Sequence, residues 1–150
     1  MKIIARNKRA SYDYDISDKL VAGIVLSGAE VKSIKAGHIS LKGSFVQLTN
    51  GELYIKNAHI NPYKFAIQSD YDPTQPRKLL IHKKQLKQLA SSLESTGMSA
   101  VPLAIGLERG LVKVEVGIGQ GKSRFDKRET IKKRIMNREA SIEAKDRKAT

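Results

Sequence analysis

The first residues to ask about in this 150-residue chain are its three histidines, His38, His59 and His82. Each stands apart from other ligand types, and no HExxH pattern places two of them on one helix face around a zinc ion. There is no cysteine, so thiolate metal sites, thiol nucleophiles and disulfides are excluded together. The nearest carboxylate pair, Asp70 and Asp72 in SDYDPTQPR, sits before Pro73, where Asp and Pro ordinarily make a turn. The glycine-rich string GIGQG (117–121) lacks the register and the strand–loop–helix surroundings of a phosphate loop, and reads as a strand end. No GxSxG nucleophile elbow occurs. Catalysis, a bound metal and a cofactor are therefore not expected.

Charge offers a different chemistry. The net charge is +13 and the pI about 10.0. Its placement is uneven: residues 1–10 carry +4, residues 122–150 carry +6, and the long middle only +3. From Lys122 onward there are eleven Lys or Arg against five Asp or Glu. Phe125, Ile131, Ile135, Met136 and Ile142 are the only large apolar residues among them, too few to anchor such a segment to a core. Basic ends of this kind point to a polyanion, nucleic acid above all. The first apolar run, Ile3-Ile4-Ala5, is too short for a secretory signal. No stretch approaches the ~20 apolar residues of a membrane helix. A cytoplasmic protein is expected, with no membrane partner.

These charges need a scaffold, and the 40% hydrophobic content suffices for one domain. In FVQLTNGELYIKN, Asn50-Gly51 fits a two-residue type I′ turn. The turn pairs Leu48 with Leu53 and Val46 with Ile55 on one face, and Gln47 with Tyr54 on the other. In VPLAIGLERGLVKVEVGIG, a turn at Arg109-Gly110 predicts the pairs Leu107–Val112, Ile105–Val114, Leu103–Val116 and Val101–Ile118, all on one buried face. Tyr12, Tyr14 and Ile16 alternate as a further strand. LVAGIVL (20–26) reads as a central strand, and RKLLI (77–81) as a short one. SGAEVKSIKAG (27–37) predicts a helix with a capping box of Ser27 and Glu30. A second helix spans about Lys83 to Ser95. The segment between Ile60 and Arg77 holds three prolines and reads as a long functional or mobile loop. Tyr and Phe read as core by alternation, so no base-stacking platform is expected. The pattern predicts a mainly β fold: an antiparallel OB-like barrel, closed or partly closed, with two or three helices (1–121) and a basic tail (122–150).

Several of these stretches carry a family resemblance. NKRASYDYDI (7–16), AGIVLSGAEVKSIKAGHISLKGSF (22–45), NAHINPY (57–63), DPTQPRKLLIHKKQL (72–86) and GKSRFDKRETIKKR (121–134) resemble, in order, the signatures of the SsrA-binding protein (small protein B) family. The resemblance implies a bacterial, non-enzymatic RNA-binding adaptor. It implies binding to the tRNA-like domain of transfer-messenger RNA and delivery, with elongation factor Tu and GTP, to stalled ribosomes. It also implies a monomer whose tail is disordered when free and becomes helical in the decoding centre and the empty mRNA channel.

Residue by residue, the family motif directs Asn7, Arg9, Glu30, Lys32 and Lys35 toward the RNA. Glu30 is equally explained as the carboxylate of the capping box. Lys32 and Lys35 are equally a solvated helix face. Arg77, Lys78 and Lys122 are further RNA-binding candidates on charge grounds. In the tail, Asp126 can cap a helix whose third residue is Glu129, with Lys127, Arg128, Lys132, Lys133 and Arg134 as its cations and Ile131 on a thin apolar stripe. Phe125 stands where some members of the family carry His; it can stack but cannot hydrogen-bond. The rival readings are a generic RNA-binding or ribosome-associated OB-like protein, and a phosphate-handling enzyme with a dispersed site.

Overall fold

The computed structural model describes residues 1–65 and 70–122, and in the tail Arg128, Ile131, Lys132, Ile135, Met136 and Arg138. The expected hairpins are its frame. β4 (Phe45–Thr49) and β5 (Glu52–Lys56) pair in the register set by the turn, with Leu48 opposite Leu53 and Val46 opposite Ile55. Asn50 and Gly51 have φ of 50° and 75°, the left-handed pair that a type I′ turn requires. β8 (Met98–Glu108) and β9 (Leu111–Gly121) form the long hairpin over a similar turn at Arg109-Gly110.

Beyond its first pairs this second hairpin departs from the expected register. Leu107–Val112 and Ile105–Val114 hold, but β8 bulges at Leu103, so Pro102 lies opposite Val116 and Ala100 opposite Ile118. An extra residue turns later side chains to the other face. The Leu103 side chain crosses Gly117, where a Cβ would lie 2.8 Å from its nearest carbon. The Leu103–Val116 and Val101–Ile118 pairs are thereby corrected.

β1 (Lys2–Arg6), which periodicity did not reveal, pairs with β8. Tyr12 belongs not to a strand but to a single helical turn, α1 (Ala10–Asp13). There the Asp13 N–H donates to the Arg9 carbonyl at 2.9 Å, and the Arg9 guanidinium lies 5.1 Å over the Tyr12 ring. β2 (Tyr14–Ile24) then runs antiparallel to β9 and, at Gly23 and Ile24, also to β7 (Arg77–Leu80), so the run expected to be central has neighbours on both sides only near its end. β7 pairs with β5.

The sheet order is β1-β8-β9-β2-β7-β5-β4. It curls until β4 approaches β8, but no ladder closes it among the described residues, so the OB-like barrel is partly open. A separate short ladder joins β3 (Ile39–Ser40) to β6 (His59–Ile60). α2 (Gly28–Lys35) buries Ile34, and α3 (Lys83–Leu93) buries Leu89. Both join the core built around Leu41, Leu53, Ile55, Ile60, Ile105, Val114 and Val116.

Candidate nucleic-acid interface

α2 starts where the sequence places it, because Ser27 and Glu30 cap each other. Ser27 Oγ accepts the Glu30 N–H at 3.2 Å, and Glu30 Oε1 accepts the Ser27 N–H at 3.1 Å. The other carboxylate oxygen turns into the protein. Arg77 Nε donates to Glu30 Oε2 at 2.7 Å, and Arg77 Nη2 lies 2.6 Å from the same atom. Both side chains are almost wholly buried. The guanidinium also donates to the carbonyls of Ala58 (2.8 Å) and Pro73 (2.9 Å). The Tyr71 hydroxyl sits 3.0 Å from both Glu30 Oε2 and the Ile60 carbonyl.

Burial alone would raise the Glu30 pKa. The Ser27 N–H, the Arg77 guanidinium and the Tyr71 hydroxyl outweigh it and hold the carboxyl below its ordinary value. The same burial, with the Glu30 charge beside it, pushes the Tyr71 phenol up to about 12, so it stays protonated.

Glu30 and Arg77, both expected toward the RNA, lie buried against each other and against main-chain carbonyls. Their charges are consumed by each other and by buried carbonyls, as a buried ion pair requires. What they do is clamp α2 to β7 and to the chain around Tyr71–Gln75, where Gln75 also reaches Glu30 at 3.4 Å. That clamp leaves Lys32 and Lys35 exposed on the outer side of α2.

The remaining candidates divide. The Asn7 side chain donates to the Pro102 carbonyl at 2.9 Å, and its N–H donates to the Leu103 carbonyl at 2.8 Å. Asn7 thus fastens the N-terminal segment to the β8 bulge. Arg9 keeps 66% of its side chain exposed despite a 3.6 Å approach to Asp13. The two residues border a groove of about 290 Å³ whose far wall is Ile39–Gly43, including Lys42. The chain leaving α2 therefore meets the N-terminal segment, and Arg9 and Lys42 face one groove.

Lys78 pairs with Glu52 at 3.2 Å on the surface. Lys122 is used internally: its ammonium donates to the Ser11 carbonyl at 2.9 Å and its N–H to the Asp13 carbonyl at 2.8 Å. It ties the end of the barrel to α1. In the tail, Arg128, Ile131 and Lys132 are helical and exposed. Phe125, Asp126, Lys127, Lys133 and Arg134 lie outside the described residues.

The expectation that the aromatics are core fails: among the described residues no Tyr or Phe belongs to the buried core, and Phe45 is 41% exposed. One exposed aromatic stands beside α2. Phe65 is 72% exposed and meets Tyr63 edge to face, with centroids 5.4 Å apart. Lys32 Nζ lies 5.5 Å from the Tyr63 centroid, and Lys64 Nζ 4.8 Å from that of Phe65. Sequence reasoning missed this cluster because NPYKF has no periodicity; its one signal was two aromatics flanking a lysine. Among the described residues no group of His, Asp or Glu is placed to hold a metal ion. No helix there is long and apolar enough to cross a membrane.

A surface of exposed cations suits phosphate contact, and comparison with known proteins narrows the partner. The family model described as SmpB protein matches residues 4–146. The SsrA-binding protein of Geotalea uraniireducens is 45% identical over 146 residues, 97% of each chain. That of Syntrophotalea carbinolica is 45% identical over 147 residues, 98% of each. A solved structure described as "tmRNA-SmpB: a journey to the center of the bacterial ribosome" contains a chain that superimposes with a TM-score of 0.66. That chain is 42% identical, and the match covers 85% of this chain and 93% of that one.

Proposed function

The chain belongs to the SmpB protein family, and from that premise we propose that it is the RNA-binding adaptor of trans-translation, not an enzyme. It binds the tRNA-like domain of transfer-messenger RNA and acts with it on stalled ribosomes. What carries this reading is that the family match runs through barrel and tail alike. A generic OB-like RNA binder would share the barrel alone.

The geometry supplies the means. Arg9 and Lys42 on their groove, with Lys32 and Lys35 on α2, form a set of cations on a fixed backbone that can follow a phosphate backbone. Glu30 and Arg77 hold the helix that presents two of them. Such a surface reads shape and 2′-hydroxyls and not base sequence, as proteins on folded RNA do. The segment after Lys122 is a functional unit of its own. Its cations and its stripe of Ile131, Ile135 and Met136 order in the empty mRNA channel next to the decoding centre, where message would otherwise lie. Elongation factor Tu with GTP joins through the RNA, and the protein works as a cytoplasmic monomer.

Titration of the protein with a tRNA-like RNA and with an unstructured RNA of equal length tests the reading. The folded RNA should win at moderate salt, and log affinity should fall linearly with log salt concentration. Equal affinity for the two RNAs would overturn it.

A further inference from the structure

We propose that Tyr63 and Phe65, with Lys32 and Lys64 over their rings, form a stacking platform for an unpaired nucleobase of the bound RNA. The proposal rests on the reading that the partner is a folded RNA.

The base of the platform is fixed. Ser33, fully buried in α2, donates its hydroxyl to the Asn61 carbonyl at 2.8 Å. The Asn61 N–H donates to the His38 carbonyl at 3.1 Å, and the Ile60 N–H to the Pro73 carbonyl at 3.0 Å. Pro62 stiffens the next residue step. The rings therefore stand beside α2, on the side that carries Lys32, instead of sweeping through solvent.

The partner's chemistry follows from what the rings carry. Phe65 leaves 72% of its area in water, and that apolar face has no work to do inside the fold. Each ring has a lysine ammonium within 5.5 Å of its centroid, where cation and π face attract. A nucleotide offers both complements at once: a flat base for the ring and a phosphate for the ammonium. The surroundings agree. From Val31 to Ser69 the chain holds five lysines and one acidic residue, Glu52. The Glu52 carboxylate is already occupied by the Tyr54 hydroxyl at 2.6 Å and by Lys78. In folded RNA the bases free to stack on protein are those of loops and bulges, which selects an unpaired base and not the duplex.

The test uses the full chain and a tRNA-like RNA carrying 2-aminopurine at single loop positions, with Phe65→Ala, Phe65→Leu, Phe65→Tyr and Lys64→Ala variants. Phe65 is exposed, so these variants should fold, and circular dichroism and melting would verify it. Wild type and Phe65→Tyr should quench the fluorescence of a loop position and bind alike. Phe65→Ala and Phe65→Leu should lose the quenching and bind about tenfold more weakly, the scale of one lost stack, with the salt slope unchanged. Lys64→Ala should lower the salt slope by about one.

Unchanged quenching and affinity in Phe65→Ala, while wild type still prefers the tRNA-like RNA, would overturn the platform and leave the adaptor function intact. Unchanged RNA binding with weakened ribosome binding in Phe65→Ala would also overturn it, and would assign the rings to a protein contact. Quenching by a wild type that binds unstructured RNA equally well would keep the platform and overturn the adaptor reading.

Discussion

Glu30 shows how far a residue's surroundings can change its use. It carries a negative charge in a protein built to meet RNA, and the fold hides that charge against Arg77. Breaking such a pair leaves a buried charge alone, so Arg77→Ala should cost roughly 3–5 kcal/mol. Arg77→Lys should rescue little, because an ammonium cannot span Glu30 and the Ala58 and Pro73 carbonyls together. The pH dependence follows from the lowered pKa of Glu30. A carboxyl with a depressed folded pKa contributes stability above its ordinary value of 4.5 and loses it as pH falls through the folded value. Denaturant unfolding of wild type and Glu30→Gln should thus show a gap at neutral pH that narrows below about pH 4. A gap independent of pH would mean that the Glu30 charge contributes nothing to folding. The exposed Glu52, also lowered by its Tyr54 and Lys78 contacts, is present in both proteins and cancels.

The strands owe their curl to bulges, and two of these sit opposite glycines. β1 bulges at Ile4 against Gly106, and β2 bulges at Ser17 against Gly119. A Cβ on Gly106 would run into the Lys2 carbonyl oxygen and come 2.9 Å from its carbon; on Gly119 it would meet the Asp15 carbonyl in the same way. In both cases the obstacle is backbone, which cannot rotate aside. Gly106→Ala should destabilise by about 1–3 kcal/mol and lift β1 from β8. Asn7 and Arg9 follow β1 directly, so RNA affinity should fall as well, unlike the effect of an ordinary surface change. Gly28→Ala is the control. Nothing lies within 4 Å of its added Cβ, and alanine favours a helix start over glycine. If Gly106→Ala melts like wild type and binds RNA equally, β1 is not held by this contact.

For the whole molecule, the division between barrel and tail is the question. Lys122 sets where the cut must fall, since it holds α1 through Ser11 and Asp13. A chain ended after Lys122 keeps that tie, both main hairpins, the Glu30–Arg77 clamp and Arg9, Lys32, Lys35 and Lys42. It should fold and bind the tRNA-like RNA within about tenfold of the full chain, ~1.4 kcal/mol. Tag addition on ribosomes stalled at a truncated message should be lost. A chain ended after Gly121 should additionally loosen α1, seen as faster amide exchange at Tyr12 and Asp13. Tagging that survives without the tail would end the channel-probe mechanism, and a parallel loss of RNA affinity would make the tail a second RNA anchor.

By itself the sequence determined whatever depends on neighbours in the chain. Asn50-Gly51 and Arg109-Gly110 dictate turns, and a turn dictates the pairs next to it. Ser27 and Glu30 cap one helix because they lie three residues apart. The family signatures are likewise runs of consecutive residues, which is why the functional class was legible before any coordinate. Tertiary structure decided what joins distant segments. Arg77 finds Glu30 across 47 positions, and no periodicity marks either as the other's partner. Leu103 bulges where Asn7 bonds to β8, which no pattern within the hairpin could reveal. Tyr63 and Phe65 look like core aromatics until Ser33 fixes their loop outside the barrel. Local patterns encode dihedral angles and faces, whereas ion pairs, bulges and exposed rings depend on which segments meet when the core closes.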